Sequence, residues 1–146
     1  MAIEDEIRQQ QFADPKQKAG MNLIFTANWL SERYAIALQP MDLSLQQLNV
    51  LSILKGQPGH TAPVNLIRER MIDRMPNVSR MLNKLMGKGL IRKDRLSGDQ
   101  RVVQVKLTEK GAKLAEEGRA AFHSVSYNLT KADAGLLNDL LEKMRK

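Results

Sequence analysis

Residues 76–107 change hydrophobic period in mid-course, and few architectures accommodate that change. Val78, Met81, Leu82 and Leu85 recur at i, i+3, i+4 and i+7, the period of a helix with one buried face. Met75 precedes Pro76, and a residue before proline is pushed out of the α region, so this helix is expected to start at Pro76. After Gly89 the pattern alternates. Residues 90–95 and 101–107 flank Leu96-Ser97-Gly98-Asp99-Gln100, a polar, glycine-containing connection that suits a β-hairpin. Val103, Val105 and Leu107 are expected to face the core, with Val102, Gln104 and Lys106 outward.

The same stretch carries the whole charge excess. Residues 74–106 hold nine Lys or Arg and two Asp, while the remaining fourteen basic and fourteen acidic residues balance, so the net charge of +7 sits there. On the helix, Asn77, Arg80, Lys84 and Lys88 form the stripe opposite the apolar one, flanked by Ser79 and Asn83 and free of glutamate. Asn, Ser, Arg and Lys are the side chains that read base edges and hold phosphates. Surplus cations gathered on one helix and one hairpin point to a polyanion, with nucleic acid as the first candidate. A solvated basic face is the plainer alternative.

Punctuation along the rest of the chain predicts further helices. Residues 1–13 read as a polar arm or frayed helix. Asp14 before Pro15 starts a long helix to about Leu38, in which Ile24, Ala27, Leu30 and Tyr34 lie along one side and Phe25, Trp29 and Ile36 widen the stripe; Pro40 forbids its continuation. Ser44 with Gln47, flanked by Leu43 and Leu48, forms a capping box and hydrophobic staple, so a second helix begins there and ends near Gly56. Pro63 opens a short third helix that turns Val64, Ile67 and Met71 inward. After the hairpin, Thr108 caps a helix with an apolar side of Leu114, Ala115, Gly118, Phe122 and Val125. Thr130 with Asp133 caps a last one carrying Leu136, Leu137, Leu140, Leu141 and Met144.

Composition narrows the class. At 146 residues, 42% of them apolar, the chain suits one globular domain, and the lack of cysteine removes disulfides, thiolate zinc sites and thiol switches. No apolar run of membrane length occurs, and the acidic start (Glu4, Asp5, Glu6) is unlike a signal peptide, so a place inside the cell is expected. Two histidines far apart, no nucleophile elbow and no phosphate-cradling glycine loop leave an enzyme without machinery. No cofactor or metal is expected.

Helix, helix, basic-faced helix and hairpin in this order is the winged helix-turn-helix plan. The run Asn77-Val78-Ser79-Arg80-Met81-Leu82-Asn83-Lys84-Leu85, then Lys88-Gly89-Leu90-Ile91-Arg92, Asp99-Gln100-Arg101 and Leu107-Thr108-Glu109-Lys110-Gly111, resembles the MarR family of bacterial transcription regulators. That resemblance implies a mainly α fold with a small hairpin wing: an arm and dimerisation helix over 1–43, a DNA-binding module over 44–107, and C-terminal dimerisation helices over 108–146. It further implies that Asn77, Ser79, Arg80, Asn83 and Lys84 approach bases and phosphates. In the wing, Asp99 would steady Arg101 on the backbone or minor groove, with Arg95 and Ser97 beside it. The connector Ile72-Asp73-Arg74-Met75-Pro76 departs from the family's usual tight turn in length and in lacking glycine, and Gln100 and Val102 stand where many relatives are charged.

Apolar stripes outside the module need a cover, and a second copy of the chain related by a two-fold axis supplies one. Function therefore reads as a homodimeric regulator, a repressor on a palindromic operator in the bacterial cytoplasm, associated with the nucleoid. Relatives often release DNA when a small aromatic or anionic compound binds, and Met21, Phe25, Trp29, Tyr34 and His60 are the candidates for such a site. At helical spacing, core or dimer interface is the commoner use of those side chains. A winged-helix adaptor for protein contacts, without specific DNA binding, is the alternative reading of the fold.

Overall fold

The computed structural model describes residues 1–9, 11–74, 77–95 and 103–146. Among these residues the order is α1 (Ile3–Glu6), α2 (Pro15–Leu38), α3 (Leu45–Lys55), β1 (Thr61–Pro63), α4 (Val64–Arg70), α5 (Val78–Gly87), β2 (Ile91–Arg95), β3 (Val103–Leu107), α6 (Glu109–Ser124) and α7 (Lys131–Met144). Each predicted cap is in place. Asp14 accepts from the backbone N–H of Lys16, the Ser44–Gln47 and Thr130–Asp133 boxes are reciprocal, and Thr108 accepts from Gly111 N–H.

The core lies between α3, α4, α5, the sheet and the first turns of α6. Leu51, Leu54, Ile67, Leu82, Leu85 and Leu90 are fully enclosed there. Val105 and Leu107 face it as the alternation predicted, whereas Val103 is only half-buried. The wing is anchored at its base. Gly89, at φ +73°, ends α5 in the left-handed conformation that glycine adopts without strain, and Leu90 N–H then returns to Leu85 O at 3.1 Å. Thr108 closes the other end, its Oγ donating to Gly89 O at 2.7 Å and its N–H to Leu90 O at 3.1 Å.

A third strand joins the hairpin, giving the order β1-β3-β2 with both pairings antiparallel. Three residues with a proline carry no alternation that could reveal β1 in the sequence. Pro63 is tolerated because β1 is an edge strand, where a missing N–H can face away from the ladder. Thr61 Oγ reinforces the pairing by donating to Val105 O at 3.1 Å.

Helix α2 is largely uncovered within one chain. Of its apolar stripe only Tyr34 and Leu38 are buried, while Ile24 is 59% exposed and Ile36 63%. Helix α7 buries no residue at all, and Leu136, Leu137 and Leu140 lie open.

One packing constraint is tight enough to test. A Cβ at Gly111 would sit 2.0 Å from Leu90 O and 2.8 Å from Leu107 Cδ1, so α6 can meet the wing base only without a side chain there. Gly111→Ala is expected to lower the unfolding free energy in urea by about 3 kcal/mol, its helix-propensity gain being outweighed by overpacking. Gly87→Ala, at a helical position with open space around it, should cost nothing and raise stability by up to about 1 kcal/mol.

Candidate nucleic-acid interface

Helix α5 has two faces with no overlap. Val78, Leu82 and Leu85 are buried, and Ser79, Arg80, Asn83 and Lys84 are exposed. Their separation is the 3.6-residue period expressed in packing, since burying one stripe turns the other outward. Pro76 lies outside the described residues, and the described helix begins at Val78 with Asn77 as its cap. Asn77 Oδ1 accepts from Arg80 N–H at 3.1 Å, so its carbonyl oxygen ends the helix and its NH2 group is the donor that remains.

A groove of about 370 Å³ runs between this face and the N-terminus of α3, lined by Ser44, Gln46, Gln47, Asp73, Asn77, Arg80, Met81 and Lys84. Sequence reading named the α5 residues but not Ser44, Gln46 or Asp73 beside them. Nothing in their spacing announces that neighbourhood, which exists only because α3 packs next to α5.

Lys88 leaves the stripe to which its spacing assigned it. Its ammonium donates to the backbone oxygen of Asp42, lies 3.3 Å from the Asp42 carboxylate and 3.3 Å from Gln47 Oε1, while its own carbonyl accepts from Lys110 Nζ at 3.1 Å. One residue thereby ties the end of α5 to the approach of α3 and to α6. Gln47, the buried polar side chain of the core, has its oxygen shared between Ser44 N–H and Lys88, which satisfies it.

In the wing, Arg92 pairs with Asp94 at 3.5 Å on the exposed side of β2 and Lys93 is exposed. The Arg95 backbone pairs with Val103 at the last rung of the ladder. Ser97, Asp99 and Arg101 fall outside the described residues.

Comparison with known proteins agrees with this geometry. A family model described as transcriptional regulator SarA/Rot matches residues 34–117. The multiple antibiotic resistance protein MarR of Salmonella typhimurium is 32% identical over 112 residues, spanning 73% of this chain and 76% of that protein. The chain belongs to the MarR family of transcription regulators. Among solved structures, a cysteine-to-serine mutant of Escherichia coli MarR complexed with operator DNA superposes with a TM-score of 0.74 at 23% identity, covering 86% of this chain and 91% of that one. NadR in complex with 4-hydroxyphenylacetate gives a TM-score of 0.64 at 25% identity, covering 94% of this chain and 96% of that one.

The structure does not gather the five candidate ligand residues at one place. Met21, Phe25 and Trp29 share one side of α2, four residues apart, and each is exposed. A cleft of about 510 Å³ beside Trp29 is lined by Trp29, Glu32, Arg33, Ile36, Ala37, Ser124, Val125 and Ser126. Met21, Phe25, Tyr34 and His60 are not in that lining. Arg33, which the sequence reading passed over, puts its guanidinium 4.5 Å from the Trp29 ring centroid. His60 sits half-buried in the turn before β1.

Tyr34 is a core residue. Its ring stacks on Phe122 at 4.2 Å, and its hydroxyl meets that of Tyr127 at 2.6 Å, tying α2 to the connector after α6. Burial, aided by the Tyr127 hydroxyl, pushes the Tyr34 phenol up to about 12. A raised acid pKa favours the neutral form in the folded state, so its contribution is complete below about pH 10 and is lost as pH rises towards 12. Of the chain's two tyrosines, Tyr34 should ionise late in the tyrosinate absorbance titration, and the late phase should move to lower pH in Tyr127→Phe. A second expectation concerns Asn77. Asn77→Ala should destabilise the protein by about 1 kcal/mol by removing the α5 cap, whereas Asn77→Ser should keep the cap and most of the stability. Thermal unfolding of both variants checks this.

Proposed function

We propose that this regulator binds a palindromic double-stranded DNA operator as a homodimer, represses transcription, and is released by a small aromatic acid. One observation carries the reading: a helix walled into the core by Val78, Leu82 and Leu85 presents the polar side chains of Ser79, Arg80, Asn83 and Lys84, with Asn77 at its start, to solvent. Major-groove reading needs that combination of fork-shaped donors, amides and phosphate partners on one rigid rod. In this reading residues 44–107 form the DNA-binding module, with Arg95, Ser97, Asp99 and Arg101 in a wing that holds the backbone. The segments 1–43 and 108–146 pair the two copies. A second copy would cover them, because α2 and α7 leave Ile24, Phe25, Ile36, Leu136, Leu137 and Leu140 open to water. The relative solved with operator DNA supports the DNA assignment. Such a protein acts in the bacterial cytoplasm, where the nucleoid is. Among the described residues no helix is long and apolar enough to cross a membrane, and no group of three or more His, Cys, Asp and Glu could hold a metal ion.

The proposed ligand site is the cleft beside Trp29. An indole face beneath a guanidinium suits a flat ring bearing a carboxylate, the ring stacking and the anion pairing. NadR, crystallised with 4-hydroxyphenylacetate, gives the chemical class.

Affinity for a duplex selected from a random pool should fall with salt at a log-log slope near −0.9 per phosphate neutralised, and sedimentation should find two copies per site. Arg80→Ala should cost about 1–3 kcal/mol and relax base preference, while Arg101→Ala should weaken all duplexes evenly and flatten the slope by about one. A chain with no selected consensus and no salt dependence would be an adaptor. Trp29 is the chain's single tryptophan, so its fluorescence reports the cleft. Benzoate-type acids should quench it and loosen the DNA complex, and Arg33→Ala should abolish both effects.

A further inference from the structure

Most strongly exposed large apolar side chains lie on α2 and α7, the faces assigned to a second copy. Ile72 is elsewhere. It is 87% exposed in the connector between α4 and α5, and among the described large apolar residues only Met1 at the chain start is more open. Single exposed apolar residues are ordinary on protein surfaces, so exposure alone assigns nothing. What sets Ile72 apart is how it is held and what it stands beside. The preceding side chain, Met71, is 3% exposed, its N–H bonded to Ile67 O at 3.1 Å. The N–H of Ile72 itself donates to Asn49 Oδ1, reaching from α3, at 2.9 Å. The backbone is thus held at two consecutive N–H groups where the chain leaves α4. The next residue, Asp73, lines the groove shared with Asn77, Arg80 and Lys84. The remaining exposed neighbours, Arg70 and Arg74, are cations.

We propose that Ile72 is a specificity-determining residue that packs its side chain against a thymine 5-methyl group in the major groove, beside the bases reached from α5. The inference rests on the DNA-binding reading above. Thymine is the one base whose major-groove edge carries a methyl group, so an apolar side chain on the rim of a polar reading face discriminates where hydrogen bonds do not. Cytosine at the same step would offer its amino group to a branched hydrocarbon that cannot accept it.

Deoxyuridine replaces thymine with the loss of that methyl group alone, which makes the test direct. Each thymine of the duplex selected with the wild-type protein is replaced in turn, symmetrically in both half-sites, and affinities are measured for wild type and Ile72→Ala. At one position wild type should lose about four-fold per half-site, the worth of one buried methyl. Ile72→Ala should bind the thymine and uracil duplexes equally there, with an unchanged salt slope showing that its phosphate contacts are intact. If every thymine can be replaced without loss, or if the loss is the same in Ile72→Ala, the proposal is overturned while DNA binding stands. If no consensus is selected, both fall, and the missing salt dependence identifies the DNA-binding reading as the point of failure.

Discussion

The enclosure of Val78, Leu82 and Leu85 on one side of α5 is the constraint on which the rest depends. Each is at most 4% exposed, and burying side chains of that size stabilises the fold by roughly 2 kcal/mol apiece. A helix held by three such contacts has no rotational freedom about its axis. Arg80, Asn83 and Lys84 therefore point outward although, among the described residues, no side-chain hydrogen bond or ion pair holds them there. The polar residues are positioned by what lies behind them.

Along the helix axis, polar contacts do the positioning. Asn77 ends α5 at one side, and Lys88 ends it at the other by reaching Asp42, Gln47 and, through its carbonyl, Lys110. A charge that by spacing belonged to the reading face is used to join α5, α3 and α6. Physically the reason is local. Lys88 lies one turn beyond Lys84, still helical in backbone with its N–H on Lys84 O, and at that level of α5 the facing groups are Asp42 and Gln47 beside the Ser44 capping box. Asp42 beside it has positive φ, which leaves its carbonyl turned towards the ammonium.

Helices α2 and α7 obey different energetics. Both are capped at their N-termini and largely uncovered within one chain, so their exposed apolar side chains contribute to stability only when another surface meets them. Tyr34, stacked on Phe122 and bonded to Tyr127, joins α2 to α6 and the connector after it, and Leu38, fully buried, carries α2 into the core. The module meets these segments through α3 packed on α6 and through Leu38 of α2 in the shared core, while the Trp29 cleft opens on α2.

Much of this was legible from residue order. Caps at Asp14, Ser44, Thr108 and Thr130, the period change after Gly89, and the division of α5 into two faces are local properties, set by backbone hydrogen bonding and side-chain spacing within a few residues. Sequence by itself determined those elements, the placement of charge and the family. Tertiary structure alone decided that residues 61–63 become a strand, because an edge position asks only for a partner and not for a pattern. It decided that Lys88 serves the scaffold, that Arg33 covers Trp29, that Tyr34 is core while Ile24 on the same helix is open, and that Gly111 must be bare. Each of these depends on which surface arrives from a distant part of the chain, and spacing along one element carries no information about that.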